Sequence, residues 1–233
     1  DDPTMKKEIS TYEVKQKIIS FGEEDENDFV VKAYGDNRGK VSFSHDGETY
    51  TIPLLGSHNI YNGGVTVLVS SLLGLSTDQI KKGLSEVTPA NNRSRMIEFD
   101  GFDVLDDCYK SNPQSLRSGL ETTKLLGGYD SKILVLGDML ELGETENDLH
   151  YEVGREIDSK DTDYCLFFGS LSKHMYEGAL ENFSKDRIFH FTSKNDLIDK
   201  LKSLITKSSL VFVKGSHGMH MEEIIECVRT LKI

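Results

Sequence analysis

The sequence predicts an α/β protein in two parts. A Rossmann-like C-terminal domain with a mostly parallel sheet follows a small antiparallel sheet with helices. Three observations carry this. From about residue 95 onward, short apolar runs alternate with amphipathic stretches of about ten residues, the pattern of βαβ units. Before that point, three apolar runs within 29–54 are divided by Gly35-Asp36-Asn37-Arg38-Gly39 and by Asp46-Gly47, which is hairpin-turn chemistry. Between the two regions, the polar stretch TPANNRSR (88–95) reads as a linker and sets the division into 1–92 and 93–233.

The elements follow in order. Residues 4–17 are polar, rich in Lys and Glu, with the composition of a short helix. A strand at 17–22 ends in Gly22, and an acidic loop leads to strands 29–34, 40–43 and 49–54. Ser57 stands as N-cap of a buried helix, 60–73, which stops at Gly74. Ser76 and Gln79 supply a capping box for helix 76–84. Strand 96–99 turns at Asp100-Gly101 into strand 102–105. Helices are then expected at 113–126, 146–158, 171–182, 195–206 and 219–231, with strands at 132–136, 164–168, 187–191 and 210–213 between them. Right-handed crossovers gather the strand C-termini along one edge. That edge carries Asp106/Asp107, Gly137-Asp138, Gly169-Ser170, Thr192-Ser193 and Lys214-Gly215-Ser216.

Composition narrows the function. With 233 residues there is ample length for a core, and a net charge of −12 argues against sequence-independent nucleic-acid binding, which needs clustered cations. The 3 cysteines lack CxxC spacing, which points to a reduced, cytoplasmic setting. No apolar run approaches the roughly 18 residues of a membrane span, and no signal peptide is recognised. GxGxxG, GxxxxGK[ST] and Gly-x-Ser-x-Gly motifs are absent. The chain opens DDPTMKK without an initiator Met, as though cut from something longer.

Several stretches admit a structural and a functional reading. VLDDCYKSNPQS (104–115) puts two acids at a strand end and Asn112-Pro113 at a helix start. It is an ordinary capped βα turn, or a loop presenting Asp106, Asp107, Tyr109, Lys110, Ser111 and Asn112 to an anion. In VLGDMLELGETENDLH (135–150), Gly137 permits close backbone approach; Asp138, Glu141 and Glu144 either solvate and cap or face a ligand. VKGSHGMHMEE (213–223) offers amides and Lys214 to an anion. Its His217 and His220 fit a solvent-facing turn better than a zinc site, since no partner has ligand spacing. His58, Asn59 and Asn62 cap a helix or line a site; Arg93 and Arg95 are surface charges or reach a phosphate.

Together these stretches resemble the Mur ligase family, in particular its D-Ala-D-Ala-adding branch. The resemblance rests on DDP (1–3), GSHNIYN (56–62), Arg95-Met96, DDCYKSNPQS (106–115), VLGDMLELG (135–143), His150 and VKGSHGM (213–219), in family order. It implies that 1–92 is the C-terminal portion of a central ATPase domain and that 93–233 is the C-terminal Rossmann-like domain. The N-terminal and P-loop-bearing domains of the same enzyme would be partners outside this chain, which would be inactive alone. It further implies ATP and Mg²⁺ as cofactors. The substrates would be UDP-N-acetylmuramoyl-tripeptide and D-Ala-D-Ala, joined by a cytoplasmic monomer with no nucleic-acid partner, no membrane span and no covalent enzyme intermediate. Residue by residue, His58, Asn59, Asn62, Arg95 (or Arg93), Asp107, Tyr109 and Asn112 would meet the nucleotide. Lys214, Ser216 and His217 would face the substrate. The sequence departs from the family in having His217 where Arg is frequent and Lys110 where Asn is frequent. Another Mur-type or folate-type ligase, or a non-catalytic Rossmann-like binding module, are the competing readings.

Overall fold

The computed structural model describes residues 2–36, 40–88 and 94–233; Arg93 and most of the expected linker lie outside the described residues. The chain falls into two compact units, Asp1–Thr88 and Pro89–Ile233.

In the first unit, helix α1 (Pro3–Thr11) starts with proline in its first turn, and the Asp2 side chain accepts from the Met5 amide. It ends well before residue 17 and buries none of its residues. Strand β1 (Phe21–Gly22) pairs in parallel with β2 (Phe29–Val30). Strands β3 (Lys32–Asp36), β4 (Val41–His45) and β5 (Glu48–Ile52) form the antiparallel sheet, in the order β3-β4-β5. The strand expected at 29–34 is therefore two strands that change partner at the fully buried Val31, whose amide donates to the Gly22 carbonyl at 2.8 Å. Helices α2 (His58–Leu72) and α3 (Thr77–Ser85) close over a core that includes Val31, Phe43, Tyr50, Ile60 and Val67. The Ser76–Gln79 capping box forms. Helix α2 begins earlier than expected, and Ser57 makes no side-chain capping bond. Asn59 instead donates from Nδ2 to the Leu55 carbonyl at 2.7 Å.

The second unit holds strands β6 (Arg95–Glu98), β7 (Phe102–Asp107), β8 (Ser131–Gly137), β9 (Tyr164–Phe168), β10 (Ile188–Phe191) and β11 (Ser209–Lys214). They form one sheet in the order β10-β9-β8-β11-β7-β6, parallel except for the β6–β7 pair. Its helices are α4 (Pro113–Leu125), α5 (Glu146–Glu156), α6 (Ser172–Ala179), α7 (Lys194–Leu204) and α8 (Glu222–Val228). Strand β11 is buried along its whole length, as its continuous apolar run LVFV requires of a strand covered on both faces. Right-handed crossovers put α4, α5 and α6 on one face and α7 and α8 on the other, in agreement with the packing of α4 on α5, α5 on α6 and α7 on α8. The loop after β11 thus leaves toward the face opposite to the loops after its neighbours β7 and β8. Crevices at such switch points are where open α/β sheets bind ligands.

Helices α6 and α8 are shorter than the expected 171–182 and 219–231. After β11 the chain makes a 3₁₀ turn at His217–Met219, and His220 takes a left-handed conformation (φ 49°) before α8 begins. Left-handed backbone cannot continue a right-handed helix, so the helix expected at 219–231 is shorter. No helix among the described residues is long and apolar enough to cross a membrane.

Candidate ligand site at the strand ends

Strands β7 and β11 are parallel neighbours whose last residues, Asp107 and Lys214, stand opposite each other in register. The Lys214 ammonium lies 2.5 Å from Asp107 Oδ2 and donates to the Lys110 carbonyl at 2.8 Å. The Lys214 side chain is 1% exposed, so its charge is held in place by the sheet and compensated on the spot. Asp107 Oδ1 accepts from the Ser94 amide at 3.0 Å, which ties the start of β6 to the same cluster. Asp106 points the other way along the strand's alternation. It is buried, and burial raises its pKa above the ordinary carboxylate range, partly countered by the Cys108 side chain and amide and by the charge of Arg95. Burial also pushes the Cys108 thiol far up, so it is no thiolate nucleophile.

The loop after β7 ends at Asn112, whose Oδ1 accepts from the Ser115 amide at 2.8 Å while Ser115 Oγ returns the contact to the Asn112 amide. Pro113 opens the helix, so the capping reading of this stretch is realised in full. Ser111 beside it is buried, and its hydroxyl has no hydrogen-bond partner.

Ser216 joins the β11–α8 loop to both neighbours. Its Oγ accepts from the Leu140 amide at 2.8 Å and reaches the Ser111 carbonyl at 3.5 Å, and its amide donates to the Asp138 carbonyl at 3.1 Å. Asp138 is buried, unlike the exposed Glu141 and Glu144. Its Oδ1 accepts from the Ser172 amide at 2.6 Å at the start of α6. Gly169 makes room for that carboxylate: a Cβ there would lie 2.4 Å from Asp138 Oδ1, and its φ of +118° is one that side-chain-bearing residues rarely adopt.

The expected residues fall into both units. His58, Asn59 and Asn62 are linked at the start of α2, with Asn59 Nδ2 3.2 Å from His58 Nε2 and Asn62 Nδ2 donating to Asn59 Oδ1 at 3.0 Å. In the second unit, Asp107, Lys214 and Ser216 share the strand-end cluster. Tyr109 and His217 stand near each other, ring centroids 6.1 Å apart, and both are exposed. Arg95 pairs with Asp106 in register on the antiparallel edge strand. Among the described residues no group of three His, Cys, Asp or Glu converges as a metal site. Sequence reasoning assigned no role to His150; for Asp138 it offered capping beside solvation and ligand contact, and the bond to the Ser172 amide realises the capping. The signal for His150 was present: it occupies the apolar stripe of α5 with Val153 and Gly154.

Such a site orients and neutralises charge. It holds no activated nucleophile, and its one buried cation has a carboxylate partner.

Comparison with known proteins gives the family. Residues 92–217 match the model described as "Mur ligase, glutamate ligase domain". The chain is 33% identical, over 97% of its length, to a UDP-N-acetylmuramoyl-tripeptide--D-alanyl-D-alanine ligase of Bacillus subtilis, covering 49% of that protein. It is 31% identical over 76% of its length to the enzyme of the same name from Escherichia coli, covering 38% of it. Among solved structures, MurF from Acinetobacter baumannii superposes with TM-score 0.79 at 25% identity over 92% of this chain and 48% of that one. MurF of Thermotoga maritima in complex with ADP shares the fold, with TM-score 0.80 at 22% identity over 98% of this chain and 51% of that one. The chain therefore spans about half the length of the relatives it matches. With a matching domain over more than half of its residues, the chain belongs to the Mur ligase family.

Proposed function

We propose that this polypeptide forms the nucleotide-closing and dipeptide-accepting part of an ATP-dependent amide ligase of peptidoglycan synthesis. The enzyme joins D-Ala-D-Ala to UDP-N-acetylmuramoyl-tripeptide. The observation that carries this reading is the alignment of 97% of the chain with a relative of that name. The Asp107–Lys214–Ser216 cluster at the switch point supports it. In this reading residues 1–92 belong to the ATP-binding domain and 93–233 form the C-terminal domain of a cytoplasmic monomer.

The chemistry asks for positioning. ATP phosphorylates the terminal carboxylate of the tripeptide and leaves as ADP. The dipeptide amine attacks the acyl carbon, the C–O bond to phosphate breaks, and the amine proton is lost as the amide forms. Because no enzyme group becomes covalently attached, rate comes from orientation and charge stabilisation. His58, Asn59, Asn62, Arg95, Asp107, Tyr109 and Asn112 are assigned to the nucleotide. Lys214, Ser216 and His217 are assigned to the dipeptide or the peptide end of the acceptor. Mg²⁺, when bound, neutralises phosphate charge. The described residues do not converge into a site for it, so none is assigned to hold it.

A chimera tests the reading: this chain replaces the matching half of the Bacillus subtilis relative, and phosphate release is followed with ATP, tripeptide precursor and D-Ala-D-Ala. Dipeptide-dependent release is expected, with none above background from the chain alone. Turnover by the chain alone overturns the partial-enzyme reading. A chimera that turns over only with another amine moves the assignment to a different Mur-type or folate-type ligase, and a folded chimera that binds neither ATP nor dipeptide favours a non-catalytic module.

A further inference from the structure

The imidazole of His150 is fully buried, and both of its nitrogens are engaged. Nδ1 lies 2.6 Å from the Glu146 carbonyl, one turn earlier in α5, and Nε2 lies 2.9 Å from the Met139 amide in the loop after β8. A carbonyl only accepts and an amide N–H only donates. One tautomer alone satisfies both: the proton sits on Nδ1, and the Nε2 lone pair receives the Met139 N–H. Met139 is also fully buried, so water cannot take over if that acceptor is lost. The next amide in the loop, Leu140, donates to Ser216 Oγ at 2.8 Å, and the preceding carbonyl, Asp138, accepts from the Ser216 amide at 3.1 Å.

We infer that His150 is a positioning residue that holds the Asp138–Leu140 loop through the Met139 amide and thereby fixes Ser216 in the strand-end site. The inference rests on the reading of Ser216 as substrate-binding, and it adds how that side chain is kept in place. An imidazolium has no lone pair, so protonation sets two N–H groups against each other at Met139 and releases the loop. The titratable groups acting on the ring are Asp138 from the end of β8, Glu146 on α5 and His174 on α6. Burial, the largest influence, holds its pKa below the ordinary histidine range against the two carboxylates, so the latch is closed at neutral pH and opens in acid.

Amide hydrogen exchange in the chain, read residue by residue by NMR, tests this with His150→Phe and His150→Gln. Protection of Met139 and Leu140 is expected to fall at least tenfold in His150→Phe while Val104 in β7 keeps its own. His150→Gln, whose Oε1 can accept the Met139 N–H, restores most of the protection. Acidifying the parent through the His150 titration should reproduce the His150→Phe pattern, and His150→Gln should not respond. Calorimetry with D-Ala-D-Ala is expected to show weaker binding wherever the loop is released. Unchanged Leu140 protection in folded His150→Phe, or a parent-like acid response in His150→Gln, overturns the inference. If His150→Phe does not fold, the acid series of the parent and His150→Gln decides by the same criteria. If the parent binds no dipeptide, the substrate reading of Ser216 fails while the exchange data still decide the positioning of its side chain.

Discussion

Lys214 and Asp107 close β11 and β7 as direct neighbours, 2.5 Å apart and 107 residues apart in sequence. Removing the cation leaves a carboxylate that is only 15% exposed without its partner. Breaking a buried pair from one side costs about 3–5 kcal/mol. Because Asp107 keeps some solvent and the Ser94 amide, Lys214→Met is expected at the lower end, about 3 kcal/mol. The added replacement Asp107→Leu should recover much of it. Denaturant unfolding of the two single variants and the double variant checks this; a double variant as unstable as Lys214→Met contradicts it.

Asp106 carries a pH signature. Its folded pKa lies above its unfolded one, so the folded state holds more protons between those two values. Stability contributed by this group is therefore present below the unfolded value and lost as pH rises through the folded value. Asp106→Asn keeps an acceptor for the Cys108 amide and removes the buried charge. It is expected to be more stable than the parent at pH 7, with the gain fading as pH falls through the folded value and gone below about pH 4. Unfolding curves across that range decide; a constant difference at all pH values counts against the assignment.

Two glycines in helices separate backbone propensity from packing. A Cβ on Gly154 would lie 2.1 Å from the Met175 carbonyl oxygen of α6, whereas one on Gly83 in α3 meets nothing within 4 Å. Both substitutions to alanine gain the same helix propensity, up to about 1 kcal/mol. Gly83→Ala should raise the melting temperature. Gly154→Ala should lower it, because forcing α5 from α6 costs about 1–3 kcal/mol.

Asn112 has a capping role in the structure and a nucleotide role in the proposal. Asn112→Ala loses the cap, about 1 kcal/mol. Asn112→Asp keeps the acceptor for the Ser115 amide and should leave stability near the parent's. If the amide group also meets ATP, Asn112→Asp in the chimera raises the KM for ATP severalfold. Unchanged kinetics in Asn112→Asp leave Asn112 as a cap alone.

What the sequence made legible was local. The Ser76–Gln79 box, the Asn112-Pro113 helix start and the alternation after residue 95 are written in neighbouring residues, and each appears in the structure. The cluster was legible only as separate loops at strand ends. That Lys214 would meet Asp107 depends on β11 lying beside β7, and no local pattern encodes strand order. Asp138 looked like one of several acids that solvate or cap, with nothing to single it out from Glu141 and Glu144. Its burial follows from the small residue at Gly169 on the adjacent strand's loop. The parallel β1–β2 pair was read as part of an antiparallel sheet because runs only two residues long carry no sign of direction.

The position of β11 has a further consequence for how the domain comes into being. The strand at the middle of the sheet is the last to be synthesised. Until it emerges, β8-β9-β10 and β6-β7 are separate blocks, each presenting an unpaired apolar edge where β11 will lie. At about 5–20 residues per second, translation keeps β7 waiting for roughly 5–20 s before its neighbour exists. Long-range parallel pairing is also slow to form. The nascent chain therefore passes through a window in which two open edges are available to other chains. A polypeptide cut short before Ser209 would not be a smaller domain: it would be two half-sheets with nothing to join them.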